Sequence, residues 1–176
     1  MYPALYSNET LEMLKQGLQP LAESWAGVPL EHTYTYGVRR YTNGSWLASH
    51  VDRFNTHVIS AIINLGQSVT EPWLLYIKDN AGLAHGVVLA PGEMLWYESA
   101  RAVHGRPRPL SGEFFDNLFV HFKPIVGWYS QPFTRADPGN NPSVLRSFRV
   151  RGNIGQISNH FTMGLSMKTI GNQPPA

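Results

Sequence analysis

Leu11, Leu14, Leu18 and Leu21 recur at three- and four-residue intervals within SNETLEMLKQGLQPLAESWAG, the spacing of one face of a helix. Ser7 or Asn8 stands where an N-cap is needed. Pro20 has no amide hydrogen, so the pattern predicts a break or kink there, or the start of a second short helix. From residue 33 the period changes. Short runs of aromatic and β-branched residues predict strands near 33–41, 46–52, 56–65, 73–79, 84–90, 93–98, 101–106 and 114–123. Gly44, Gly66, Gly82, Pro91-Gly92 and Gly112 fall in or beside the turns between them. Short strands at this spacing point to a sandwich or barrel, the double-sheet jelly roll being one choice. Beyond HFKP the pattern fades: ADPGNNPS at 136–143 reads as a loop or linker, and 144–176 is polar and glycine-rich. The expected organisation is a helical segment over 1–32 packed on the core, a β core over 33–124 and a partly irregular extension over 125–176.

Composition narrows the function classes. A chain of 176 residues, 43% hydrophobic and 15% charged, is long enough to bury one core. Its formal charge of +2 comes without a block of Lys or Arg, which gives nucleic-acid binding little support. The absence of cysteine excludes disulfides, zinc–thiolate sites and thiol catalysis. No apolar run approaches the roughly 18 residues of a membrane span. MYPALYSNET lacks the regions of a signal peptide, so a cytoplasmic location is the default expectation.

Candidate chemistry begins in WLASHVDR, residues 46–53. On a strand, residues i and i+2 share a face, so His50 and Asp52 are expected to project together. Alone, such a pair reads as a hydrogen bond in a polar core or at a sheet edge. His104 changes this reading, because it too lies on an expected strand. Two histidines and one carboxylate on neighbouring strands can occupy one face of an octahedral iron(II) and leave three positions open.

RRYTNGSWLASHVDR (39–53) and PGEMLWYESARAVHGRPRPLSG (91–112) together resemble the Fe(II)/2-oxoglutarate-dependent dioxygenases, and within them the prolyl 4-hydroxylase-like group. The first segment has the family's Tyr, turn glycine, aromatic residue and His-x-Asp. The second has the Pro-Gly turn, the strand ending in aromatic-x-Ser, the distal His and a following Pro and Gly. The resemblance runs from about Tyr36 to Pro124. It implies N-terminal helices packed on a double-stranded β-helix, that is, a jelly roll. It makes His50, Asp52 and His104 the iron ligands and catalytic centre, with 2-oxoglutarate and O2 as co-substrates and ascorbate as reductant. The implied reaction gives succinate, CO2 and a hydroxylated substrate, with peptidyl proline at C4 the nearest analogy. Tyr41 matches the family tyrosine whose hydroxyl reaches the co-substrate; an ordinary cross-strand aromatic is the other reading.

One departure stands out. The family's usual Lys or Arg, nine or ten residues after the distal His, is replaced by Glu113 and Phe114. Among nearby cations, Arg101 and Arg53 alternate outward and Lys123 lies at the far end of its strand. Parity selects Arg106, two residues after His104, to bind the distal carboxylate of 2-oxoglutarate. Arg108 comes next, with Asn117 or His121 adding hydrogen bonds. A solvated rim or a substrate contact is the other reading of both arginines. His57, His85 and His121 read as structural or surface residues. Trp73, Trp96, Phe115 and Phe119 read as barrel filling, Trp46 as mouth or core, and Arg53 as rim. Three other functions remain open: hydroxylation of a free amino acid or small metabolite, non-catalytic binding by a degenerate jelly roll, and a cupin-like metalloenzyme without 2-oxoglutarate. The substrate is expected to be a peptide or a small molecule; oligomeric state is left open.

Overall fold

The computed structural model describes residues 7–79, 81–125, 148–151 and 168–169. One helix, α1 (Asn8–Ala26), precedes β1 (Leu30–Thr42), β2 (Leu47–His50), β3 (Ile59–Val69), β4 (Leu75–Lys78), β5 (Ala84–Val87), β6 (Glu93–Tyr97), β7 (His104–Arg106) and β8 (Gly112–Pro124). Short strands β9 (Phe148–Arg151) and β10 (Lys168–Thr169) follow; the rest of the expected extension over 125–176 lies outside the described residues apart from Ile125. Two antiparallel sheets form, a larger one ordered β1-β8-β3-β6-β9-β10 and a smaller one ordered β2-β7-β4-β5. Among the described residues, no helix is long and apolar enough to cross a membrane.

Alternation along the three central strands of the larger sheet separates two cores. Ile59, Ala61 and Ile63 of β3, Met94 and Trp96 of β6, and Leu118, Val120 and Phe122 of β8 pack on the helix side. The helix meets them with Leu14, Leu18, Leu21, Ala22 and Trp25. The opposite parity faces the smaller sheet: Ile62, Leu95 and Tyr97 pack there with Leu75, Ile77, Leu89 and Ala102. Burying each large apolar side chain contributes about 1.5–3 kcal/mol, so both faces of this sheet stabilise the fold.

The helix runs unbroken through Pro20, contrary to the expected break, and among the described residues it is one helix where more than one was expected. Pro20 and Gln16 are both exposed, so the Gln16 carbonyl that loses its amide donor can bind water. Ser7 caps the start by accepting from the Thr10 amide, and Gly27, at φ 72°, ends the helix in the left-handed conformation. The helix is tied to β1 by two side chains. Gln19 donates to the Leu30 carbonyl at 2.9 Å, and the Leu30 amide donates to Glu23 at 3.0 Å.

Candidate metal centre

His50 closes β2 and His104 opens β7, and the two are paired directly across the strands. Their ring centroids lie 4.4 Å apart. The strands approach this closely because Gly105 has no side chain: a Cβ there would sit 2.8 Å from the Ser49 Cα and 2.9 Å from the Ala48 carbonyl oxygen. Asp52 arrives by another route than the expected strand. β2 ends at His50, and the Asp52 amide donates to the Ser99 carbonyl at 2.8 Å, which folds the loop back. Asp52 Oδ1 then lies 3.5 Å from His50 Nε2 and 4.0 Å from His104 Nε2.

All three donor atoms fall within 4.8 Å of one another. The Nδ1 atoms of His50 and His104 donate to the Ala48 and Ala102 carbonyls, each at 2.8 Å. Those bonds fix the tautomer and leave each Nε2 without a proton, facing Asp52; the Tyr97 hydroxyl also lies 3.4 Å from His104 Nε2. Burial lowers the His104 pKa, which favours the neutral, ligating form. Two imidazoles and one carboxylate, presented from one side, suit an iron(II)-type ion.

A buried chain of hydrogen bonds supports the Asp52 loop. Ser99 donates its hydroxyl proton to the His57 carbonyl at 2.7 Å, so it accepts from Ser60. Ser60, having given its proton away, accepts from His121 Nδ1 at 2.6 Å. His121 is therefore the Nδ1-protonated neutral tautomer, and burial pushes its pKa down to about 3. The same Nδ1 lies 3.9 Å from Asp52 Oδ2.

Arg106 closes β7 and is 2% exposed. Its guanidinium carbon lies 4.5 Å from the centroids of both Trp73 and Phe115, and Nη1 donates to the Trp73 carbonyl. Nη2 is buried without a partner. Burial pushes the pKa down to about 10, so the group stays charged at neutral pH. Arg106 lines the same cavity of about 340 Å³ as His50, Asp52 and His104, and Tyr41 lines it too. Asn117 is 1% exposed, on the β8 face that carries Phe115 and Phe119, and neither of its amide atoms has a partner.

Arg108 does not reach this cavity. β7 ends at Arg106, so the inward alternation stops, and Arg108, between Pro107 and Pro109, lies exposed with its guanidinium 5.8 Å from the Tyr76 ring centroid. Glu113 is exposed as well. His57 lines the cavity although it was read as structural or surface, and His121, the other reading of which was a co-substrate contact, lines it too, whereas His85 pairs with Asp79 at 2.8 Å. Trp46 is 61% exposed and so outside the core. Arg39, Tyr36 and Tyr97 also line the cavity and were missed in the sequence. Arg39 carried a signal, since it lies two residues before Tyr41 and shares its face.

An oxidoreductase of the 2OG-Fe(II) oxygenase family from Burkholderia pseudomallei superposes with a TM-score of 0.57 at 16% identity, over 65% of this chain and 57% of that one. A prolyl-4-hydroxylase from Pseudomonas putida gives 0.52 at 20% identity, over 70% of each chain. This chain has the 2OG-Fe(II) oxygenase fold. It spans little more than half the length of the Burkholderia protein. No family model matches the sequence, and no curated protein matches it, so the likeness rests on the fold.

In this 2OG-Fe(II) oxygenase fold Gly105 sets the separation of the two histidines. Gly105→Ala places a methyl against the backbone of β2, which cannot move aside as a flexible side chain could. The variant is expected to lose about 1–3 kcal/mol of stability and to weaken Fe(II) binding measured anaerobically by calorimetry. Unchanged melting temperature and unchanged metal affinity would show that the strands tolerate a wider gap.

Proposed function

We propose that the protein is an Fe(II)- and 2-oxoglutarate-dependent oxygenase that hydroxylates an unactivated C–H bond. One observation carries the reading: a His-Asp-His donor set and a buried, incompletely paired guanidinium line one small cavity. Iron(II), with 2-oxoglutarate and O2, supplies oxidative decarboxylation to succinate and CO2, coupled to substrate hydroxylation. His50, Asp52 and His104 hold the metal and keep one of its faces free. Arg106 offers Nη2 to the distal carboxylate of 2-oxoglutarate, at the depth where an anion needs a charged partner. Tyr41 and Asn117 add a hydroxyl and an amide as further donors. Neutral His121 leaves the metal side of the cavity without a competing cation.

The buried guanidinium favours this reading over a non-catalytic jelly roll or a cupin-like enzyme without 2-oxoglutarate. Its stacking on Trp73 and Phe115 and its bond to the Trp73 carbonyl offset part of that burial, but among the described residues no carboxylate pairs with it. Peptidyl proline at C4 is the first substrate to test, with free amino acids beside it. Anaerobic addition of Fe(II) and then 2-oxoglutarate is expected to produce a weak visible charge-transfer band. Air and ascorbate should then give succinate, with a product about 16 Da heavier where a substrate is hydroxylated. Neither band nor succinate, with iron bound, would sink the 2-oxoglutarate reading.

A further inference from the structure

Consecutive arginines on β1 are treated differently by the fold. Arg40 is paired bidentately with Asp116, at 2.9 and 2.7 Å, and its guanidinium lies 4.5 Å from the Phe114 centroid. Arg39 turns to the other face and lines the cavity, with no carboxylate in ion-pair range among the described residues. Its guanidinium lies 5.4 Å from the Phe119 ring centroid and 3.5 Å from the Tyr41 hydroxyl. These contacts hold the group in place without neutralising it. Arg53, next to Asp52 in the loop, lines the mouth and likewise has no acid partner among the described residues. Among the described residues, Asp52 is the one carboxylate on the cavity wall.

The charge balance of the proposed reaction shows what these two arginines lack. Iron(II) with Asp52 carries one net positive charge, and Arg106 a second. Doubly negative 2-oxoglutarate balances both. Among the described residues, Arg39 and Arg53 then remain as two uncompensated cations beside the space left for substrate. The rest of the lining carries aromatic and aliphatic side chains, among them Tyr36, Phe119, Leu47 and Ile62. At about 340 Å³ the cavity is at the small end of the range for ligand sites, roughly 300–1,000 Å³.

Resting on the oxygenase reading, we propose that the substrate carries a free carboxylate, which Arg39 binds and Arg53 covers from the mouth. They are specificity-determining residues, and the substrate is a free amino acid or the C-terminal residue of a short peptide, not a residue internal to a chain. A planar guanidinium takes a carboxylate through two parallel hydrogen bonds, while the aromatic and aliphatic lining receives the apolar body.

Matched probes test this without turnover. Protein loaded with redox-inert Zn(II) and 2-oxoglutarate is titrated at low salt with L-amino acids and their primary amides, and with glycyl-L-proline and its amide. At least one acid is expected to bind about tenfold or more tighter than its amide, the scale of one charge-assisted contact. That preference should shrink to about threefold or less in Arg39→Met and in Arg53→Met, and partly return in Arg39→Lys, which keeps the charge and loses the fork. Binding of the free amino acid but not the dipeptide identifies the smaller substrate class. The proposal is overturned if acids and amides bind alike, if no acid binds by about 10 mM, or if the preference survives both Met variants. It is also overturned if Arg39→Met weakens 2-oxoglutarate instead. Failure of the oxygenase reading looks different: Zn(II) or 2-oxoglutarate would not bind, while the acid preference could still be measured on the metal-free protein.

Discussion

Arg106→Ala is expected to raise the 2-oxoglutarate concentration needed for half-maximal turnover by roughly two to three powers of ten, with Fe(II) affinity nearly unchanged. The guanidinium is 2% exposed, pinned between Trp73 and Phe115, and keeps Nη2 without a partner. Removing one member of a buried, hydrogen-bonded charge pair typically costs about 3–5 kcal/mol. Because no acid pairs with Arg106 among the described residues, its loss strands no buried carboxylate, and the variant is expected to fold. The freed Trp73 carbonyl costs about 1–3 kcal/mol, partly offset by the removal of a desolvated charge. Arg106→Lys keeps the charge without the second arm and should fall between the two. Kinetics at varied 2-oxoglutarate, with anaerobic iron titration as control, decide the matter: an unchanged 2-oxoglutarate requirement would remove Arg106 from the co-substrate site.

Loss of any one metal donor should have the second large effect. Asp52→Ala takes the single negative charge from a set that otherwise offers two neutral imidazoles, and His50→Ala or His104→Ala leaves two donors. Changes in groups that merely orient ligands weaken metal binding by about 10–100-fold. Loss of a donor is therefore expected to exceed about a hundredfold and to abolish binding at micromolar Fe(II). Anaerobic equilibrium dialysis with Fe(II), read beside the melting temperature, checks this. Full metal occupancy in any of the three variants would mean the residues do not share an ion.

Much of this was legible because alternation survives on the central strands. Period-two patterning in β3, β6 and β8 separates the two cores, and parity along β7 carries Arg106 to the same cavity as His104. Where the chain leaves a regular strand, parity fails. Arg108 follows the end of β7 and lies outside. His50 and Asp52 do converge, but the Asp52 amide bond to Ser99 turns the carboxylate inward, not a strand running through residue 52. Tyr36 and Arg39 are three residues apart, so simple alternation would put them on opposite faces. A bulge intervenes: Tyr36 pairs with Phe119 and Arg39 with Asn117, so three steps on β1 match two on β8. Nor could the need for Gly105 be read from the chain, since it arises only when β2 lies against β7.

That irregularity in β1 bears on self-association. Among the described residues β1 is the outermost strand of the larger sheet, and an open sheet edge is a template on which another chain can add a strand. Both backbone groups of Leu30 are already engaged by Gln19 and Glu23 of the helix. Farther along, register shifts between His32 and Tyr34 and between Tyr36 and Arg39 interrupt the ladder twice. A foreign strand would have to reproduce both shifts to stay bonded, and it would meet exposed Arg40 beyond the second. The bulge that turns Tyr36 toward the cavity thus also makes the border of the sheet a poor seed for aggregation.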